Sequence, residues 1–222
     1  MNVPRIVLAL LLTTASAGAF AQKEGRLPDI SSTLKGSLLL PVPLANPLFE
    51  SATESIGQVD GAVHFPLAKG FGIGAGGKMT WFGINERALA PDVTSGQIRR
   101  SVFYGKAQYE QFTGPRTAYE LSARFGSATY VFDCPTCTDA STRTAFHWGL
   151  GAAYYLYASD NLAFGLILGY ETDATQFSAN DLGLENFPGR TEIVQDANFQ
   201  YLIVGLGFST RFRKAPDNGR GW

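Results

Sequence analysis

The sequence predicts an all-β fold: a transmembrane antiparallel up-and-down β-barrel of eight strands, with short periplasmic turns and long extracellular loops. Three observations predict it. The chain divides into eight segments in which apolar and polar residues alternate. Each is about long enough to cross a bilayer tilted, which takes roughly 9–11 residues. The connections between segments alternate between brief and long. The last segment, Phe199–Phe212, carries Leu202, Val204, Leu206, Phe208 and Phe212 on one face, interrupted only by Thr210. Gly205, Gly207, Ser209 and Arg211 lie on the other face. Such a strand suits lipid on one side and a polar interior on the other.

The N-terminus reads as a secretory signal over residues 1–21. Arg5 supplies the positive start, Ile6 to Leu12 a short apolar core, and Ala19-Phe20-Ala21 a small-x-small cleavage site. The apolar run is too short for a membrane-spanning helix. The mature chain then starts at Gln22, and residues 22–33, polar and Pro-containing, form a periplasmic lead. Of 18 Lys and Arg, Arg5 leaves with the signal, so 17 bases face 19 acids. A net charge near −2 gives no reason to expect nucleic acid as a partner. Gly is abundant at 25 residues, aromatics reach 13%, and few segments show helical periodicity, which fits an all-β chain of one-domain size.

The expected strands run Leu34–Leu44, Ser55–Ala68, Phe71–Ile84, Ile98–Phe112, Thr117–Val131, Thr144–Ala158, Leu162–Thr175 and Phe199–Phe212. Lys69-Gly70, Thr113 to Arg116 and Ser159 to Asn161 are the brief connections. Ala45–Glu54, Asn85–Gln97, Phe132–Arg143 and Gln176–Asn198 are the long ones. An even strand number puts both termini on the short-turn side. In the fourth segment Phe103, Ala107 and Tyr109 oppose Arg100, Lys106, Gln108 and Glu110; in the fifth Tyr119, Leu121, Ala123 and Phe125 oppose Glu120, Ser122 and Arg124. The sixth and seventh present Phe146, Trp148, Leu150, Tyr154 and Leu156, then Leu162, Phe164, Leu166, Leu168 and Tyr170. A soluble barrel alternates too. Trp81, Phe112, Tyr119, Phe132, Trp148, Tyr157 and Phe212, near strand ends, are expected as interfacial girdles.

Over about residues 34–212 the chain resembles the small eight-stranded outer-membrane barrels of the OmpA-transmembrane, OmpX and OmpW type. The resemblance is one of pattern. It implies the outer membrane of a Gram-negative bacterium, contact with outer-membrane lipid, and recognition by the outer-membrane assembly machinery through the closing strand. Phe208 and Phe212 are then the assembly signal. Members often stop at the terminal aromatic, whereas residues 213–222 continue here as a basic tail. That tail is expected to be disordered in the periplasm; the sharper idea is a docking peptide.

Period-2 phasing assigns Lys35, Lys78, Arg100, Lys106, Arg124 and Arg211 to the lumen, with Asp60, Glu110, Glu120, Glu171 and Asp173. Buried charges persist when paired, and eight strands enclose a space that side chains can just fill. The expectation is a barrel plugged by an ion-pair network. Gly72, Gly74 and Gly76 on one wall, and Gly149, Gly151 and Ala153 on another, leave space that keeps a narrow pore open as the alternative.

Other motifs point to little chemistry. Gly72 to Gly77 matches a dinucleotide pattern and Gly77-Lys78 a phosphate loop, but Met79 stands where Ser or Thr is needed and no helix follows. Glycines of a curving strand explain them. Cys134 and Cys137 are expected as a disulfide that stiffens the third long loop; redox activity would need a helix N-terminus, and zinc lacks four ligands. His64 and His147 read as polar lumen fillers. The last long loop holds Leu182, Leu184, Phe187, Ile193 and Val194, apolar area that suggests either contact with a partner or strands extended beyond the membrane.

Together these readings give a non-enzymatic barrel without cofactor or metal, with a structural or interaction role through its loops. Other envelope proteins, reached through the loops or tail 213–222, are the candidate partners. A narrow porin-like channel for small or apolar solutes is the alternative, and a lipid-modifying barrel enzyme the weaker one.

Overall fold

A computed structural model describes residues 29–137, 142–188 and 197–212. The expected signal, the first part of the lead, the tail 213–222, Ile193 and Val194 lie outside the described residues. Eight strands form one closed barrel in sequence order. They are β1 (Thr33–Leu44), β2 (Thr53–Ala68), β3 (Phe71–Ile84), β4 (Gln97–Gly114), β5 (Thr117–Asp133), β6 (Thr142–Tyr157), β7 (Leu162–Asp173) and β8 (Phe199–Arg211). Each pairs antiparallel with its neighbours, and β8 returns to β1 in a register from Thr33 opposite Arg211 to Leu44 opposite Gln200. Strand ends agree with the sequence pattern to within two residues.

Closure leaves no unpaired sheet edge, so every strand finds its backbone partners within the wall. At the seam the ring of Phe208 lies over Gly36, where an added Cβ would come within 2.3 Å of it. A larger residue there would push the ring aside, so glycine lets Phe208 lie flat across the β8–β1 seam.

Lys69-Gly70, Pro115-Arg116 and 158–161 connect strands at the end that carries the termini. The opposite end carries the other connections. Two of these hold helical turns that the sequence pattern did not suggest, α1 (Pro47–Ala52) and α2 (Glu86–Leu89), and a third holds a 3-10 turn at Ala179–Leu182. No helix among the described residues is long and apolar enough to cross a membrane.

The barrel is polar inside and apolar outside. Leu38, Ile73, Phe103, Leu121, Phe125, Leu150, Leu166 and Leu206 all stand exposed on the outer face, Phe103 at 76%. Lys35, Lys78, Arg100, Glu110, Glu120 and Glu171 are buried within. This inverts the partition of a water-soluble protein and provides the continuous apolar surface that lipid contact requires.

Three aromatics do not belong to the outer girdle as expected. Phe112, Phe132 and Tyr157 are buried at 3%, 0% and 6%. Period 2 explains the correction: they share the phase of Glu110, Tyr130 and Tyr155, which face inward. Trp81, Tyr119 and Trp148 keep the outward phase and are partly exposed.

Candidate functional site: the charged interior and its cap

The inward phase of six strands delivers charge to the axis. Five cations, Lys35, Lys78, Arg100, Lys106 and Arg124, meet five carboxylates, Asp60, Glu110, Glu120, Glu171 and Asp173. They fall into two layers. Nearer the termini, Lys35 Nζ lies 2.5 Å from both Glu110 and Glu120, and Lys106 Nζ lies 2.5 Å from Glu120. Gln108 donates to Glu110 at 3.1 Å.

Nearer the loops, Lys78 Nζ is 2.5 Å from Glu171. Arg100 reaches Asp173 through Nε at 2.7 Å and Glu171 through Nη1 at 3.2 Å. Arg124 sits 3.4 Å from both Asp60 and Glu171. Tyr104 donates to Asp60 and Tyr130 to Asp173, each at 2.5 Å, and His147 Nδ1 is 2.7 Å from Asp173. Arg100 also stacks over Tyr201 at 5.0 Å.

Arg211 lies apart from both layers. Its guanidinium stacks over Tyr157 at 4.5 Å and Phe112 at 5.2 Å, at the termini end. Without it, the interior charges balance. The sequence pattern does not single out Tyr104 and Tyr130, although they carry the same inward period as Arg100 and Glu120. Their hydroxyls supply donors that the carboxylates would otherwise lack, as buried charge demands.

At two of the lumen glycines the expected space is filled by a neighbouring side chain. His64 packs over Gly72 and Tyr104 over Gly76, so that an added Cβ would meet them at 2.1 and 2.6 Å. Beside Gly151 and Ala153 a cavity of about 20 Å³ separates the two layers, lined by Ser37, Asp60, Ser122 and Arg124. That is room for about one water.

Above Arg100 the loops close the barrel with a packed aromatic cap. Phe49 on α1 is fully buried and touches Phe82, Phe177 and Phe199 edge-on, with centroids 5.0, 5.3 and 4.9 Å apart. Asn46 ties two segments: its Nδ2 donates to the Ala197 carbonyl at 2.8 Å, and its Oδ1 accepts from Gln200 N at 3.0 Å.

The last long loop is part of this cap. Leu182 and Leu184 are buried at 0% and 8%, and Phe177 stacks near Phe132. The expectation that Leu182 and Leu184 expose apolar area to a partner is therefore corrected: they are spent on the protein's own core. β7 and β8 do not extend into a longer pair either, since they stop at Asp173 and Phe199.

Cys134 and Cys137 form a disulfide, with Cα atoms 5.1 Å apart. The short loop they close rests on the 3-10 turn. Thr136 Oγ1 donates to the Leu182 carbonyl at 2.8 Å, and Arg143 pairs with Asp181 at 2.6 Å. Gly183 adopts φ +70°, and an added Cβ would stand 1.9 Å from the Thr136 carbonyl. Burial pushes the Asp181 carboxyl above the usual value, against the downward pull of Ser178 and Arg143. Among the described residues no group of His, Cys, Asp and Glu is placed to hold a metal.

No protein-family model and no curated protein matches the sequence. Solved structures do match in fold. Neisserial surface protein A superposes with a TM-score of 0.52 at 10% identity, covering 82% of this chain and 97% of that one. OprG from Pseudomonas aeruginosa gives 0.47 at 9% identity, covering 83% and 98%. Ail of Yersinia pestis gives 0.43 at 11%, covering 81% and 97%. With its closed, up-and-down, eight-stranded wall, the chain has the fold seen in small eight-stranded outer-membrane barrels.

Proposed function

We propose that this protein is a non-enzymatic β-barrel of the Gram-negative outer membrane whose role is to present its capped loops at the cell surface. The observation that carries this reading is the barrel's inverted polarity. An apolar outer face surrounds an interior filled by balanced ion pairs, and its loop end is a packed aromatic core. The termini end then faces the periplasm, in keeping with secretion through the signal over residues 1–21. Phe208 and Phe212, outward on the closing strand, serve the assembly machinery. Lipid surrounds the wall, and other envelope proteins meet the loops or the tail.

A lipid-modifying enzyme is not favoured, because His64 and His147 are both buried inside the barrel, away from lipid. A narrow channel is the second reading. One observation favours it: Arg124 is held at 3.4 Å by each of two acids, beside the 20 Å³ cavity. Fractionation tests the parent claim. The protein is expected in outer-membrane fractions, with gel mobility that changes on boiling as a closed barrel unfolds. Recovery in the soluble periplasm overturns it.

A further inference from the structure

The interior next to the termini holds more polar atoms than partners. Consecutive strands line this band. Ser209 stands on β8, Thr33 on β1, His64 on β2 and Gln108 on β4, and only Gly72 of β3 intervenes. The registers bring them together: Lys35 faces Ser209, Thr33 faces His64, and Gly72 faces Gln108. The four side chains are 3% exposed or less. Thr33 Oγ1, both ring nitrogens of His64, Gln108 Oε1 and Ser209 Oγ have no hydrogen-bond partner. Gln108 is anchored through its other atom, which donates to Glu110. The Lys35–Glu110–Glu120 pairs form the ceiling, and Arg211 over Tyr157 and Phe112 forms the floor. Ser31 Oγ and Asn161 Oδ1, also unpartnered, continue the series toward the end of the barrel.

Elsewhere in the interior, among the described residues, such atoms occur singly, on Gln58, Arg124 and His147. Native proteins rarely leave buried polar groups unpaired, and those without a protein partner bind ordered water. Polar groups of this kind bind ordered water where there is room for it, whereas an apolar void stays dry.

We propose that this band binds a cluster of ordered waters that exchanges with solution past Arg211, so that the barrel is hydrated from its termini end only. The inference rests on the reading of a plugged barrel. Water reaches the Lys35 layer from below and solvates its ammonium. The aromatic cap and the upper ion-pair layer bar entry from the loops. His64, which can donate through one ring nitrogen and accept through the other, is the hub of the cluster.

The chain has two histidines, one in each half, which makes them built-in reporters. The full chain, labelled with ¹⁵N-histidine and reconstituted in phospholipid bilayers, is examined by water-edited solid-state NMR. Magnetisation from water is expected to reach the His64 ring several-fold faster than the His147 ring. His64→Gln removes the fast signal and assigns it. Arg211→Ala opens the floor, and should speed transfer to His64 without changing His147. A His64 ring that fills no faster than His147 overturns the proposal, and an unchanged His64 rate in Arg211→Ala overturns entry past Arg211. Conductance is read separately. A dry His64 in a non-conducting barrel removes this inference alone, while rapid transfer to both rings in a conducting barrel removes the plugged reading beneath it.

Discussion

Replacing Arg100 by Met isolates the role of the upper ion-pair layer. Arg100 is fully buried, with Nε 2.7 Å from Asp173 and Nη1 3.2 Å from Glu171. After the substitution Glu171 keeps Lys78 at 2.5 Å and Arg124 at 3.4 Å. Asp173 keeps only the Tyr130 hydroxyl and the His147 ring. Removing one member of a buried pair costs about 3–5 kcal/mol, because the other is left uncompensated. The two remaining donors on Asp173 place the expected loss near the lower bound, at about 3 kcal/mol. Removing both partners, as Arg100→Met with Asp173→Leu, takes away the stranded charge. The double variant should recover about 2 kcal/mol relative to the sum of the singles. Urea unfolding of barrels in phospholipid vesicles, followed by the fluorescence of the three tryptophans, measures all four corners of the cycle. A single-variant cost below about 1 kcal/mol, or singles that simply add, would show that Arg100 does not neutralise Asp173.

Four further outcomes follow from the same geometry. Phe103→Arg, at the most exposed apolar site on the wall, should cost about 2–4 kcal/mol in vesicles, as a cation does near the bilayer midplane; a neutral result would contradict lipid contact there. Cys134→Ser with Cys137→Ser should speed protease cleavage within loop 174–198 while leaving heat-modifiable mobility intact, because the disulfide loop seats the 3-10 turn rather than the strands. Gly183→Ala should have the same loop phenotype with the disulfide retained, since left-handed backbone costs an L-residue about 1–2 kcal/mol and Thr136 leaves no room for Cβ. Asp181 has a higher pKa in the docked loop than in a free one, so docking is strongest below the free carboxylate's pKa and weakens as pH rises through the docked value; limited proteolysis across the acidic range should show this, and Asp181→Asn should abolish it.

Much of the wall was legible because a strand has period 2. Arg100, Lys106, Glu110 and Glu120 declared the inward face, and Phe103, Leu121 and Phe125 the outward one. The same period carried Phe112, Phe132, Tyr157, Tyr104 and Tyr130 inward, but aromatic type near strand ends suggested girdles and hid three of them. Pairing across the axis was not legible. Lys35 meets Glu110 and Glu120 from across the lumen, and only the closed register brings them together. Space was misread for a related reason. Gly72 and Gly76 suggest an opening, yet a missing side chain on one strand accommodates a large one on its neighbour, here His64 and Tyr104. The cap was illegible because α1 and the 3-10 turn are too short to show periodicity. Leu182 and Leu184 therefore looked like spare surface, although Phe49 from a distant loop helps build the core they join.

Paired charge fills the barrel's interior beneath a packed aromatic cap, and a barrel filled in this way does not conduct. Single-channel recording of the purified, folded protein in planar bilayers checks this. A flat baseline at moderate voltage is expected, with no resolved openings. Steady, reproducible conductance steps would contradict it, and would make the narrow channel the better description.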